Sequence, residues 1–190
     1  LEYLIRYPHG CLEQTTSAVF PQLFLEEILD LSASEKSRIQ HNLTSGIKKL
    51  GQFQLSNGGF SYWSGQRFAN DWATSYAGHF LLEAEKRGYV LPISFKSKWI
   101  SYQEKEAKDW RFSPNYGNDF AQAYRLYTLA LAGKPDLSSM NRLRSTPGIS
   151  SNSKLRLAAA YAIAGQKSAA LSLLNSSNTS ELSPKGYSYY

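Results

Sequence analysis

Apolar residues in this chain recur every three or four positions, the period of helices that turn one face inward. Phe20, Leu23, Phe24, Ile28 and Leu31 keep that spacing, and Pro21 is placed to start or kink this first helix. Ser32-Ala33-Ser34-Glu35 is a capping-box pattern. It opens a second helix with Ile39, Leu43, Ile47, Leu50 and Phe53 on one face, which must stop before the turn signal Ser56-Asn57-Gly58-Gly59. A third helix is predicted from Asn70-Asp71 to about Lys86 with Trp72, Tyr76, Phe80 and Leu81, closed by Gly88 and Pro92. A fourth runs from about Ile93 to Lys108 on Phe95, Trp99, Ile100 and Tyr102, and a fifth from Asn118-Asp119 to Gly133-Lys134-Pro135. Residues 137–144, 151–164 and 167–175 read as shorter helices between turns rich in serine, glycine and proline. No stretch alternates for long enough to be a strand. The predicted fold class is all-α.

The pattern also repeats. Asn70-Asp71-Trp72-Ala73 and Tyr76 match Asn118-Asp119-Phe120-Ala121 and Tyr124 at an offset of 48 residues, and Leu81 and Ala84 continue to Leu129 and Ala132. That offset is the length of one helix pair with its turns, the unit of a solenoid or a closed ring. Gly59-Phe60-Ser61-Tyr62-Trp63 is echoed by Gly186-Tyr187-Ser188-Tyr189-Tyr190. The phrase Gln54-Leu55-Ser56-Asn57-Gly58-Gly59-Phe60 resembles the Q-x-x-x-G-x-aromatic turn of α/α toroids, where glycines permit the tight turn and the ring fills the gap between layers.

Composition narrows the function classes. In 190 residues, hydrophobic content of 42% and charged content of 19% describe a folded domain with a core, not a disordered chain. Thirteen tyrosines and four tryptophans suit helical layers wedged by large rings. No apolar run of about 18 residues exists to cross a membrane. The formal charge of +6 is spread over scattered lysines and arginines with only short pairs such as Lys48-Lys49, so no nucleic-acid stripe forms. Asp71, Asp109, Asp119 and Asp136 are dispersed and no His/Cys set has ligand spacing, so neither a metal nor a cofactor is expected. The chain opens at Leu1 without an initiator methionine or signal peptide and ends within an aromatic phrase, which implies a piece cut from a longer protein.

The candidate chemistry lies in Tyr7-Pro8-His9-Gly10-Cys11-Leu12-Glu13-Gln14-Thr15-Thr16-Ser17, which holds the only cysteine. A thiol and a side-chain amide three positions apart can face each other across one turn. Attack of the Cys11 sulfur on the Gln14 amide, with loss of ammonia, would give an internal thioester. Gly10 lets the backbone bend close, Pro8 stiffens the approach, and Thr15, Thr16 and Ser17 are expected to cap the following helix. Glu13 either assists proton transfer or holds the turn. Two other readings of Cys11 stand beside this one: a small buried hydrophobe, or a hydrolase nucleophile needing His9, His41 or His79 as base.

The string GCLEQTTS preceded by Tyr-Pro resembles the thioester motif of the alpha-2-macroglobulin and complement family in its bacterial form, the Cys, Glu and Gln positions matching one for one. Animal members usually carry glycine where this chain has Leu12. The resemblance implies an α/α toroid of repeated helix pairs, here incomplete, with residues 1–190 forming one thioester-type domain truncated at both ends. It implies a broad-range endopeptidase inhibitor and not a turnover enzyme. A trapped protease would attach covalently through the Cys11–Gln14 thioester after bait cleavage, and other domains of the same chain would shield the bond. It further implies a periplasmic, cell-envelope or extracellular setting. Without those shielding domains the bond is expected to be hydrolysed or unformed. Some animal relatives use a downstream histidine to redirect the thioester to hydroxyls; the stretch Ser101 to Tyr116 has none, so lysine amines are the expected nucleophiles. The alternatives are an α/α toroid enzyme of the cyclase or prenyltransferase kind, and a helical-repeat binding module in which Cys11 is incidental.

Overall fold

Helices begin where a short polar side chain can take up a free N–H, and four of the nine α-helices described here show this bond at a serine, asparagine or aspartate. The structure is a computed structural model that describes residues 2–177; the echo at Gly186–Tyr190 lies outside them. In order, the α-helices are α1 (Leu12–Val19), α2 (Leu25–Ile28), α3 (Ala33–Leu50), α4 (Asp71–Lys86), α5 (Phe95–Asp109), α6 (Asp119–Leu131), α7 (Leu137–Ser145), α8 (Ser151–Ile163) and α9 (Lys167–Ser176). Among the described residues the only β-type pairing is an isolated bridge between Gln54 and Phe60. The fold is all-α. The chain divides into two compact units, with the boundary between Lys105 and Glu106 inside α5.

In the first unit, α1 packs against α3 and α4. Ser32 caps α3 as its sequence predicts: its hydroxyl accepts from Glu35 N–H at 3.3 Å, and the Glu35 carboxylate accepts from Ser32 N–H at 2.7 Å. Every residue of the predicted α3 face, from Ile39 to Phe53, is buried. Asn70 caps α4 through Ala73 N–H at 2.9 Å. Gly78 of α4 is where the α5 indole comes closest: a Cβ there would meet Trp99 ring atoms at 2.2–2.4 Å. Trp99 is buried, and its ring N–H donates to Thr74 O at 2.9 Å. The glycine turn forms as its sequence suggests. Asn57 Oδ1 accepts from Gly59 N–H, Gln54 Nε2 donates to Gly58 O and Phe95 O, and the buried Phe60 ring meets Phe95 edge-on at 5.4 Å.

One predicted helix is broken. Instead of continuing through Leu31, the chain passes from α1 into a 3₁₀ turn at Pro21–Phe24 and then the single turn of α2. Pro21 has no N–H to donate, and a 3₁₀ turn is the usual accommodation at a helix end. Leu23 and Leu25 are buried, but Ile28 is exposed.

In the second unit, α6 packs against α7 and α8, and α9 against α8, around Leu126, Leu129, Leu157 and Tyr161. The carboxylate of the buried Asp119 accepts from Ser150 N–H (2.8 Å) and the Ser153 hydroxyl (2.7 Å), joining the starts of α6 and α8. Burial alone would raise its pKa, but these bonds outweigh it and hold the carboxyl below its ordinary value. The repeat is real at the level of elements, since Asp71 and Asp119 each open a helix. The asparagines differ. Asn118 makes no cap and instead accepts from Ser113 N–H and donates to Arg111 O, bracing the loop before α6.

Candidate functional site

Cys11 is the N-cap of α1, with extended backbone at φ −70° and ψ 176°. Its sulfur accepts from Gln14 N–H at 3.5 Å, and Gln14 Oε1 accepts from Cys11 N–H at 3.0 Å. These two bonds form a capping box in which a thiol takes the place of the usual hydroxyl. The expectation that Thr15, Thr16 and Ser17 cap this helix is therefore corrected. The helix starts earlier, at Leu12, because the thiol already satisfies the orphan N–H of Gln14. Thr15 and Thr16 are buried inside it, with Thr16 Oγ1 donating back to Leu12 O at 2.8 Å and Thr15 Oγ1 to His9 O at 3.5 Å.

The Gln14 side chain folds back over Gly10. A Cβ on Gly10 would stand 1.9 Å from Gln14 Oε1 and 2.8 Å from its Cδ, and Gly10 has φ +83°, a region that L side chains rarely adopt. Two constraints thus select glycine at one position. The site is also asymmetric. Cys11 is 7% exposed, while Gln14 is exposed and borders an open depression of about 360 Å³ formed with Tyr3, Leu4, Arg6, Ser17 and Pro21. A larger groove of about 710 Å³ is lined by Gln40, Ile47, Lys48, Tyr89 and Leu91 and contains none of the motif residues.

Neighbours hold the motif on all sides. Pro8 is buried and its carbonyl accepts from Lys49 Nζ at 3.3 Å. Leu12, at the position where animal relatives carry glycine, is fully buried and anchors α1 in the core. His9 packs at a tilt against Tyr7, ring centroids 4.7 Å apart, and the Tyr7 ring also lies tilted to His41 at 6.0 Å. His79 stands edge-on to Phe20 at 5.0 Å. None of these histidine contacts involves Cys11, so the hydrolase reading gains no support from them.

Glu13 accepts a hydrogen bond from the Tyr62 hydroxyl, and Leu12 N–H donates to the Tyr62 carbonyl at 3.0 Å. Burial first, then the Glu13 bond and charge, with a smaller contribution from Cys11, push the Tyr62 hydroxyl up to about 12. It therefore stays protonated and donates to the carboxylate at neutral pH. In the sequence Tyr62 stands out only within the echoed phrase Gly59-Phe60-Ser61-Tyr62-Trp63, because 49 residues separate it from Glu13. No His/Cys/Asp/Glu cluster suited to a metal occurs among the described residues, and no helix there is long and apolar enough to cross a membrane.

Known proteins share this arrangement of elements. The family model for the A-macroglobulin TED domain matches residues 1–115. Alpha-2-macroglobulin of Escherichia coli K12 is 34% identical over 96 residues, 48% of this chain and 6% of that protein. That of Xylella fastidiosa Temecula1 is 28% identical over 154 residues, 75% of this chain and 9% of that protein. The chain thus spans less than a tenth of the length of these relatives. Among solved structures, native E. coli alpha-2-macroglobulin from domain MG7 to the C-terminus superimposes with a TM-score of 0.78 at 26% identity, covering 92% of this chain and 29% of that one. Salmonella alpha-2-macroglobulin reacted with methylamine gives a TM-score of 0.78 at 28% identity, covering 93% and 12%. This all-α chain, of the α/α toroid type, belongs to the A-macroglobulin TED domains in their bacterial form.

Proposed function

We propose that this chain is the thioester-bearing domain, residues 1–190 acting as one domain, of a longer alpha-2-macroglobulin-like protein that traps proteases. Protease inhibition is the general role of the family. The observation that carries the proposal is the paired contact at Cys11 and Gln14, where the carboxamide lies folded over Gly10 and accepts from the N–H of the residue bearing the thiol. In the reaction, the Cys11 sulfur adds to Gln14 Cδ. Negative charge gathers on Oε1, where Cys11 N–H already donates. The C–N bond then breaks, and the thiol proton leaves with the amide nitrogen as ammonia. An amine that later attacks Cδ forms an amide and returns the thiol to Cys11. The exposure of Gln14 beside its depression and the burial of the sulfur favour attack on the carbonyl from the solvent side.

Lysine amines of attacking proteases are the intended nucleophiles, and neighbouring domains of the same protein keep water away until a protease cuts. The setting is the periplasm, cell envelope or exterior, where foreign proteases are met. Glu13 and Pro8 serve the geometry of the turn. The treatment of the Salmonella relative with methylamine supplies the probe. Freshly purified full-length protein should be one ammonia lighter than its sequence, and methylamine should add at Gln14 while releasing one thiol. Glycerol should label more slowly than methylamine. A free Cys11 thiol in intact fresh protein, with Gln14 unlabelled by amines, would overturn the reading.

A further inference from the structure

The thioester reading above gives Glu13 only a part in the geometry of the turn, and the fold supplies a partner for it. The first turn of α1 is tied to Tyr62 twice, through Leu12 N–H to its carbonyl and through its hydroxyl to the Glu13 carboxylate. Tyr62 stands on a fixed platform. Phe60 N–H donates to Thr74 Oγ1 at 2.9 Å, Asn70 N–H to Phe60 O at 2.8 Å, and both Ser61 N–H and its hydroxyl to Phe53 O. The segment is thus held by the turn that follows α3 on one side and the start of α4 on the other.

Helical geometry separates Glu13 from the reacting pair. Residues two apart on a helix do not face each other, whereas Cys11 and Gln14, three apart, do. The carboxylate that would have to shuttle a proton is instead engaged by a phenol from another part of the chain. A charge-assisted bond of this kind is among the stronger contacts available to a half-buried side chain.

We infer that Tyr62 is a positioning residue for thioester formation: with Glu13 it clasps the first turn of α1, so that the Cys11 sulfur and the Gln14 carbonyl are held in register. Glu13 then acts as an acceptor and not as a proton carrier, and its charge matters less than its oxygen. The inference rests on the thioester reading, and the wild-type protein tests that reading separately.

The experiment follows bond formation in the full-length protein after a pulse of synthesis, as the growth of the species one ammonia lighter by mass spectrometry. If wild type never acquires that species, the thioester reading falls before any variant is compared. Given a wild-type rate, Tyr62→Phe keeps the ring and the backbone tie and removes only the hydroxyl, so the folded domain survives. It should slow formation about tenfold or more, the loss expected of one charge-assisted bond. Glu13→Ala should slow it equally, and the Tyr62→Phe/Glu13→Ala double variant no further, since both remove one contact. Glu13→Gln, whose carbonyl can still accept from Tyr62 in a neutral bond, should recover about threefold or more of the rate lost in Glu13→Ala. A wild-type rate in Tyr62→Phe, multiplicative losses in the double variant, or a Glu13→Gln as slow as Glu13→Ala would each overturn the inference.

Discussion

Replacing Gly10 by alanine separates the chemistry of this site from its stability. The new methyl would stand 1.9 Å from Gln14 Oε1 and 2.8 Å from Cδ, so the carboxamide must leave its place over the backbone. Two costs add. At φ +83° an L side chain loses about 1–2 kcal/mol to crowding with its own backbone. Swinging Gln14 out gives up the 3.0 Å bond from Cys11 N–H, a net contribution of about 0.5–1.5 kcal/mol. The sum, about 1.5–3.5 kcal/mol, is tolerable for a domain whose total stability is about 5–15 kcal/mol. The chemistry is less forgiving, because moving a reacting carbon by about 1 Å costs on the order of a hundredfold in an intramolecular step. Gly10→Ala in the full-length protein should therefore melt only several degrees lower. It should lose ammonia after synthesis roughly a hundredfold more slowly by mass spectrometry. Formation of the methylamine-labile bond at the wild-type rate would refute the claim that the close approach over Gly10 is required.

Four further substitutions concern the scaffold. Gly78→Ala drives a methyl into the Trp99 indole at 2.2–2.4 Å; overpacking of this kind costs about 1–3 kcal/mol or more, read as a lower urea midpoint and a red-shifted tryptophan emission. Asp119→Ala leaves Ser150 N–H and the Ser153 hydroxyl without their acceptor and should cost about 2–3 kcal/mol in a thermal melt. Because the folded-state pKa of Asp119 is depressed, its contribution is complete above the unfolded carboxylate value of about 3.9 and fades as pH falls through the folded value. The Asp119→Ala protein should accordingly lose less stability than wild type between pH 4 and lower pH, where acid unfolding is followed by circular dichroism. Asn70→Ala removes the N-cap of α4 and should cost about 1 kcal/mol, seen as faster amide exchange at Ala73. Asn118→Ala should leave the first turn of α6 unaffected, since that residue makes no cap.

Local rules carried most of the fold. Ser32 with Glu35, Asn70 with Ala73, and the glycine turn at Asn57–Phe60 act within a few residues of themselves, and so they can be read from sequence. The spacing of Ile39, Leu43, Ile47 and Leu50 likewise names its own buried face. Two features escaped for different reasons. A cysteine is a rare N-cap, so in sequence the threonines look like the start of α1, although residues 11–14 already stand out for their chemistry. Tyr62 escaped because its partner Glu13 is brought to it only by the packing of α1 on α3 and α4. Sequence spacing reveals the pair that reacts within one turn; the residue that steadies the turn comes from elsewhere in the chain.

The thiol-for-hydroxyl capping box gives the proposed reaction a direction. Water attacking the bonded Gln14 carbon would leave a glutamate side chain at the third position of α1, which is the residue a capping box favours there. A carboxylate would accept Cys11 N–H more strongly than an acyl oxygen does. Its charge in the first helical turn would gain a further ~0.3–1 kcal/mol from the helix dipole. The form spent by water would therefore have the better-made helix start, and the armed form the poorer one. On the proposed reaction such a device would behave as a ratchet: each molecule would discharge once, a molecule spent on water would relax into a more comfortable backbone, and only synthesis of a new chain would rearm the trap.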